Sequence, residues 1–414
     1  MTKTPEQLKA ERTKRIQAAY ELKRPDRVPI VLNLGYMLAR LGGISYAELE
    51  ENPERAQELL EEYALYYQPD RISGGAIPGK VNRILGDRMT KWPGYELPDD
   101  QPFQFKEGEY MKEDEYDEFI DDPSDFAIRK FLPRGFSMLE GLAMLPPLAT
   151  AVMGHGALPT IGMLNAPPVR TALQSMIKAA ESFLEAGDRP VKNAQRMADL
   201  GFPTGMDFAG IAAAPFDFIG DTLRAMRGSM MDMYRRPEKL LAAMEKARKI
   251  TLKACIQGAE MTGNNVIMMP LHRGSDGFMS IKQFETFYWP QLKGLMLDMI
   301  DAGLIPAPFY EGIWDNRLHY LRELPRGKTR GSFEKTNMFK AKEIIGDIMC
   351  LTGGFPVSLL QTGTPEKVRE HTKKMCEAVG KNGGFIMAAG SAMDYCNKEL
   401  VKVWVDSTKE FGRY

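Results

Sequence analysis

This sequence predicts an α/β protein, a single-domain (β/α)8 TIM barrel, and three observations predict it. Short β-rich runs alternate with longer helical patterns through most of the 414 residues. Strand, helix, strand at this spacing reads as parallel βαβ units with both faces covered. No Ser/Gly-rich linker divides the chain, and repeated strand–helix units in one uninterrupted chain favour a barrel over a doubly wound sheet.

Residues 1–27 are polar with a helical pattern and lack the apolar core of a signal peptide, so they are expected to form an N-terminal helical extension. VPIVLNL at 28–34 is the first buried strand, followed by helix to about residue 67, and DRIS at 70–73 is a second short strand. Residues 94–133, rich in Asp and Glu, fit neither period and are expected to be a surface excursion or lid. The most apolar stretch, 138–164, is interrupted by Glu140 and Pro146-Pro147 and reads as buried helices and loops rather than a membrane span. A strand is expected to end near Phe208. Further strands are expected at 266–269, 304–309, 328–333, 347–351 and 384–389, with helices at 237–261, 281–302, 340–345 and 365–380. Thr364-Pro365-Glu366 carries the signature of the last helix's start, and Gly380 closes it.

Composition excludes several functions. Fifty-four Lys+Arg against 55 Asp+Glu leave a net charge of -1, which argues against a nucleic-acid footprint or a polybasic membrane surface. Four cysteines without a CxxC pair point to a reduced, cytoplasmic compartment. The 27 methionines read as adaptable core packing, or as the lining of a soft apolar cavity.

Barrel enzymes carry their chemistry on the loops after the strands. His272 follows the strand at 266–269, with Arg273 and Asp276 beside it and Gly274 and Gly277 allowing close backbone approach. A neutral imidazole there could ligate a metal or carry a proton. Glu311 follows the next strand. It reads either as the partner of Arg317 in a salt bridge or as a metal ligand or general base in the barrel mouth. Tyr310 and Trp314 could stack on a flat ligand, though a plain pair at the barrel rim would look the same. Phe216 and Asp217 follow the strand expected near Phe208, and Ser391 follows the last strand. No HExxH, P-loop or GxSxG motif is present.

Several segments together resemble the uroporphyrinogen decarboxylase superfamily. They are Lys23-Arg-Pro-Asp-Arg-Val-Pro29, Ala214-Pro-Phe-Asp-Phe-Ile-Gly220, Met233-Tyr-Arg-Arg-Pro-Glu-Lys-Leu240, Glu323-Leu-Pro-Arg-Gly-Lys328, Phe339-Lys-Ala-Lys-Glu-Ile-Ile-Gly346, Gln361-Thr-Gly-Thr-Pro-Glu-Lys-Val368 and Gly383-Gly-Phe-Ile386. The resemblance implies a (β/α)8 barrel and one of two chemistries. One branch decarboxylates the acetate side chains of a porphyrinogen without a cofactor. The other transfers methyl groups to or from a corrinoid and uses zinc to activate the acceptor.

The residues at the matching positions depart from both. The decarboxylase branch has an Arg-containing segment after the first strand, where this chain has Leu32-Asn-Leu-Gly-Tyr-Met37. Its Asp, Tyr and His fall near Gly74-Gly75, near Asp221 and on Ser391. A polyanionic tetrapyrrole needs that cation. The methyltransferase branch has a His-x-Cys where this chain has Phe309-Tyr310-Glu311, and a Cys near Ser391. One oxygen donor, Glu311, remains, with His272 one strand earlier.

The resemblance therefore implies a corrinoid-dependent methyltransferase acting on a small O- or N-methyl donor, with a corrinoid-binding protein as partner. On this reading His272, Glu311 and Asp276 are catalytic, and His272 and Glu311 are the candidate ligands of a zinc. Arg273, Tyr310, Trp314, Arg317, Phe216, Asp217 and Ser391 bind substrate. A homodimer is compatible, and no nucleic-acid or membrane partner is expected. A divergent uroporphyrinogen decarboxylase and a non-catalytic barrel that binds a tetrapyrrole or corrinoid are the alternatives.

Overall fold

The computed structural model describes residues 3–76, 78–203 and 208–414. Contacts divide the chain into two compact units. The first comprises Met1–Ala76, Val191–Ala214 and Arg248–Tyr414, and the second comprises Ile77–Pro190 and Pro215–Ala247.

The first unit is a parallel sheet wrapped by helices. In chain order its strands are β1 Val31–Asn33, β2 Arg71–Ser73, β3 Gly210–Ile211, β4 Val266–Leu271, β5 Ile305–Tyr310, β6 Arg330–Phe333, β7 Cys350–Gly353 and β8 Phe385–Ile386. Strands β3 to β8 form one six-stranded sheet in sequence order, and β1 pairs with β2. A parallel bridge between Ile30 and Met387 joins β1 to β8. There Val31 N–H donates to the Met387 carbonyl at 2.9 Å and Met387 N–H to that of Pro29 at 2.8 Å. Every pairing is parallel, and each ladder joins strands consecutive in the chain. This is the (β/α)8 barrel that the alternating pattern predicts. Among the described residues no ladder joins β2 to β3.

Several boundaries differ from the sequence expectation for identifiable reasons. The helix expected to run to residue 67 is three helices, Met37–Gly42, Tyr46–Glu51 and Pro53–Tyr67. Gly43 at φ +65° ends the first, and the Asn52-Pro53 step ends the second, with Asn52 capping the third. Asp347-Ile348-Met349 is not strand: Ile348 and Met349 bond back to Ile345 as the helix ends, and β7 begins at Cys350. Of the residues before the strand expected near Phe208, 204–207 lie outside the described ones. The strand that is described, β3, comes two residues later. The N-terminal extension is the helix Pro5–Tyr20, opened by a capping box between Thr4 and Gln7.

The N-terminal end of the barrel is held by a buried carboxylate. Asp70 has no exposed surface. It accepts from Arg15 at 2.5 Å, from both terminal nitrogens of Arg27 at 2.7 and 2.8 Å, and from Ile30 N–H at 2.8 Å.

The second unit contains the segment expected as an excursion, 94–133, and extends well beyond it. A short antiparallel pair, Thr90–Lys91 with Gln104–Phe105, precedes a set of helices. Its core gathers Phe136, Leu139, Leu142, Leu145, Val169 and Ala172. Gly141 lets the segment Ser137–Met144 pack against the backbone at Pro168 of the helix Pro167–Leu184, where a Cβ would clash. The apolar stretch 138–164 is less buried than expected: Val152, Met153, Leu158 and Ile161 are exposed. No helix among the described residues is long and apolar enough to cross a membrane.

Two predictions follow from these ion pairs. Asp70→Asn removes the charge that three hydrogen-bonding guanidinium and amide groups converge on. It is expected to cost about 3–5 kcal/mol, the range for breaking a buried pair, read as a lower urea midpoint of the full chain. In the second unit, hydrogen bonds from Arg134 hold the Glu115 carboxyl down at about 2, and Lys130 adds to the effect. A depressed carboxylate stabilises the fold above its unfolded pKa of about 4.3 and loses that contribution as pH falls toward its folded value. Thermal stability of the wild type is therefore expected to fall more steeply between about pH 4 and 2 than that of Glu115→Gln.

Candidate functional site

His272 and Glu311 are brought together by strand register. β4 and β5 run parallel with Leu271 opposite Tyr310. The next residue on each strand is therefore carried out of the sheet beside the other, at the C-terminal end of the barrel. His272 Nε2 lies 3.5 Å from Glu311 Oε1, with the two side chains 41% and 37% exposed. The pair faces solvent and is supported from beneath.

Asp276 and Arg317 form that support. Arg317 is fully buried and donates to the carbonyls of Gly274 and Met279. Its Nε stands 3.6 Å from Asp276 Oδ1, and its guanidinium lies over the Phe284 ring at 4.4 Å. Asp276 also accepts from Asn316 N–H at 3.0 Å, and its own N–H donates to Ile313 at 2.7 Å. The salt bridge read as Glu311–Arg317 is thus made by Asp276 instead. Arg317 and Asp276 lock the loop after β4 to the loop after β5, and Arg317, with no exposed surface, is not available to a substrate. Burial lowers the Arg317 pKa, and Asp276 opposes that shift. Arg273 stands over the Phe278 ring at 5.4 Å.

Tyr310 and Trp314 are packing, not ligand-stacking faces: both are fully buried. Tyr310 stacks on Phe333 at 4.7 Å between centroids and meets Trp314 edge-on at 4.8 Å. Trp314 Nε1–H donates to the Glu311 carbonyl at 2.9 Å, which fixes the backbone of that residue. Gly274 is required here because a Cβ would run into the Trp314 ring.

The loop after β5 is also laced to the loop after β6. Glu334 Oε2 accepts from Gly312 N–H at 2.7 Å, Thr336 Oγ1 from Trp314 N–H at 3.1 Å, and Asp315 Oδ1 from Asn337 N–H at 2.8 Å. Each bond spans 22 positions. Gly312 takes φ +72° at the turn, with Ser275 2.8 Å from where a Cβ would sit. Sequence reasoning gave Glu334 no role, since its partner is a backbone amide on another strand's loop.

Ser391 lies in the turn after β8, on the same end of the barrel. The preceding Gly390 approaches the Glu334 carbonyl so closely that no side chain fits. Nearby, Asp394 accepts from Tyr36 N–H at 3.1 Å and so ties the loop after β8 to the loop after β1. Burial raises the Asp394 pKa. Sequence reasoning did not single out this carboxylate, although it follows the last strand. Phe216 and Asp217 are buried in the second unit, on the short helix Pro215–Asp217. The loops that carry His272 and Glu311 belong to the first.

Among the described residues the donors do not make up a zinc site. A zinc site takes at least three protein ligands. No cluster of three His, Cys, Asp or Glu suited to a metal is present among the described residues. Asp276 is engaged by Arg317. The four cysteines are unpaired and buried, and burial pushes their thiols up, to about 11 at Cys255 and about 12 at Cys350, Cys376 and Cys396. His272 and Glu311 bring an imidazole and a carboxylate within 3.5 Å of each other, a combination able to hold and move a proton.

The difference in burial separates the two pairs experimentally. His272→Ala is expected to change stability by no more than about 0.5 kcal/mol, as exposed substitutions do. Arg317→Ala is expected to cost about 3–5 kcal/mol by leaving the Asp276 charge without its cation and two buried carbonyls without their donor. Chemical denaturation of both variants checks this.

Three comparisons with known proteins bear on this geometry. No curated protein matches the sequence. Among solved structures, the fold is similar to a methyltransferase from Methanosarcina mazei, with TM-score 0.58 and 15% identity over 97% of this chain and 98% of that one. At that identity the likeness speaks to the fold. The family model for uroporphyrinogen decarboxylase matches residues 163–411, more than half of the sequence. The chain belongs to the uroporphyrinogen decarboxylase family.

Proposed function

We propose that the protein is an enzyme that moves a methyl group from a small O- or N-methyl donor to a corrinoid held on a partner protein. The observation that carries this reading is the His272–Glu311 pair, solvent-facing and 3.5 Å apart at the C-terminal end of the barrel. Breaking a methyl–oxygen or methyl–nitrogen bond leaves a basic atom behind, and a positioned acid lowers that barrier. On this reading His272 delivers a proton to the departing oxygen, or to the amine nitrogen once its methyl bond has broken and freed the lone pair, and Glu311 orients the imidazole and stabilises its charged form. The corrinoid supplies the nucleophile that takes the methyl group. The fold similarity to a methyltransferase is consistent with this reading.

The decarboxylase reading has less support. The first cation after β1 is Arg40, which donates to the Asp394 carbonyl at 3.4 Å and stands over the Tyr395 ring. A clamp for substrate carboxylates needs a guanidinium free to form paired bonds. We place the protein in the cytoplasm, consistent with four free cysteines.

The test is methyl transfer to a reduced corrinoid, followed spectroscopically over a panel of O- and N-methyl donors. At least one donor is expected to turn over. His272→Ala and Glu311→Gln are each expected to lower kcat/KM by about 10²-fold or more, the range for losing general acid–base help. Coproporphyrinogen formed from uroporphyrinogen at about 1 per second or faster, a normal enzymatic rate, would overturn the reading.

A further inference from the structure

A cavity of about 340 Å³ opens within the first unit, against the lacing between the loops after β5 and β6. Its walls include Asp315, Glu334, Met338, Phe339, His371 and Met375. Ligand pockets run from about 300 to 1,000 Å³, so this one suits a small molecule. Met338 and Met375 are buried and present polarisable thioethers, and Phe339 stands partly open beside them. His371 is edge-on to the Phe355 ring at 5.2 Å, and burial lowers its pKa, which favours the neutral imidazole.

The charges on the wall are fixed and mostly negative. Asp315 is held by Asn337 N–H and Glu334 by Gly312 N–H, each through one carboxylate oxygen. Lys335 is the wall's one lysine or arginine. It is 69% exposed and 3.3 Å from Glu334 Oε1, so it offsets part of that charge from the solvent side. Two oriented carboxylates with an apolar, thioether- and aromatic-lined interior repel an anion. They gain little from an uncharged polar molecule. They complement a compact organic cation, whose charge meets the carboxylates while its methyl groups contact Met338, Met375 and the Phe339 ring.

We infer that this cavity binds a small methylated ammonium compound. Glu334 lines the cavity and holds Gly312, the residue after Glu311, so the cavity adjoins the loop that carries the His272–Glu311 pair. Resting on the methyl-transfer reading, this assigns the donor to the N-methyl class rather than the O-methyl class.

Calorimetry on the full chain tests the cavity without requiring turnover. The probes are choline and its uncharged carbon analogue 3,3-dimethylbutan-1-ol. Choline is expected to bind at least tenfold more tightly than the analogue. Phe339→Ala and Asp315→Asn are each expected to weaken choline binding about tenfold. Asp347→Asn, which removes the same charge outside the cavity wall, is expected to leave it unchanged. Equal affinity for the two probes, or an Asp315→Asn protein that binds choline as well as Asp347→Asn does, overturns the proposal. The two readings fail separately. Selective choline binding without any methyl transfer leaves the cavity standing and removes the reaction. Transfer from O-methyl donors alone, without choline binding, does the reverse.

Discussion

A carboxylate stripped of water sets the frame on which the rest of the barrel depends. Asp70 has no solvent contact, and a charge in that position survives only when its lone pairs are filled. Arg15 reaches it from the helix Pro5–Tyr20, Arg27 from the approach to β1, and Ile30 from the backbone just before β1. These contacts set the start of β2 against the start of β1. The Ile30–Met387 bridge carries that position on to β8, and parallel ladders carry it from β8 to β4. Because register in a parallel sheet passes from strand to strand, which residues emerge together at the C-terminal end is decided in part at the N-terminal end. His272 stands beside Glu311 because Leu271 stands beside Tyr310.

That arrangement explains why the family was legible in the sequence while its reaction was not. The segments that carry the resemblance are largely frame. In Lys23–Pro29, Asp26 pairs with Arg15 and Arg27 with Asp70. In Glu323–Lys328, Glu323 accepts from Trp289 and Lys293, while Arg326 and Gly327 bond to the backbone at Asp347 and Ile348. Thr364 caps the helix Pro365–Met375. Gly383 at φ +76° approaches the Lys23 carbonyl too closely for any side chain. Such residues answer to the fold's geometry, which is shared across chemistries on one barrel. The residues carried out at the C-terminal end of the barrel are not bound by that geometry, so a frame shared across the family does not fix them.

Within the site, the sequence exposed identity and strand-end position but not depth. His272 and Glu311 were legible because each follows an apolar run. Tyr310, Trp314 and Arg317 share that neighbourhood, and nothing in their spacing reveals that all three are fully buried. The partner of Arg317 was equally hidden. Asp276 and Glu311 are both plausible carboxylates in sequence, and only the fold of the loop after β4, closed by Asp276 N–H on the Ile313 carbonyl, decides between them. Glu334 and Asp394 act through backbone amides on other loops, so no side-chain pattern announces them.

Depth also gives the site its chemical character. A pair that is more than one-third exposed has a weak hold on its own geometry, because long side chains in water lose little by moving. Here the backbone beneath the pair is fixed on several sides. Trp314 holds the Glu311 carbonyl, Glu334 holds Gly312, and buried Arg317 ties down the loop that follows His272. The restraint is applied to the backbone and not to the side-chain tips, so Nε2 and Oε1 keep access to solvent while their Cα positions are set. A proton donor must be positioned yet free to exchange its proton. On the proposed reading, anchoring the main chain and leaving the side-chain tips open meets both requirements, and the hydrogen bonds among the loops after β4, β5 and β6 do this without enclosing the pair they support.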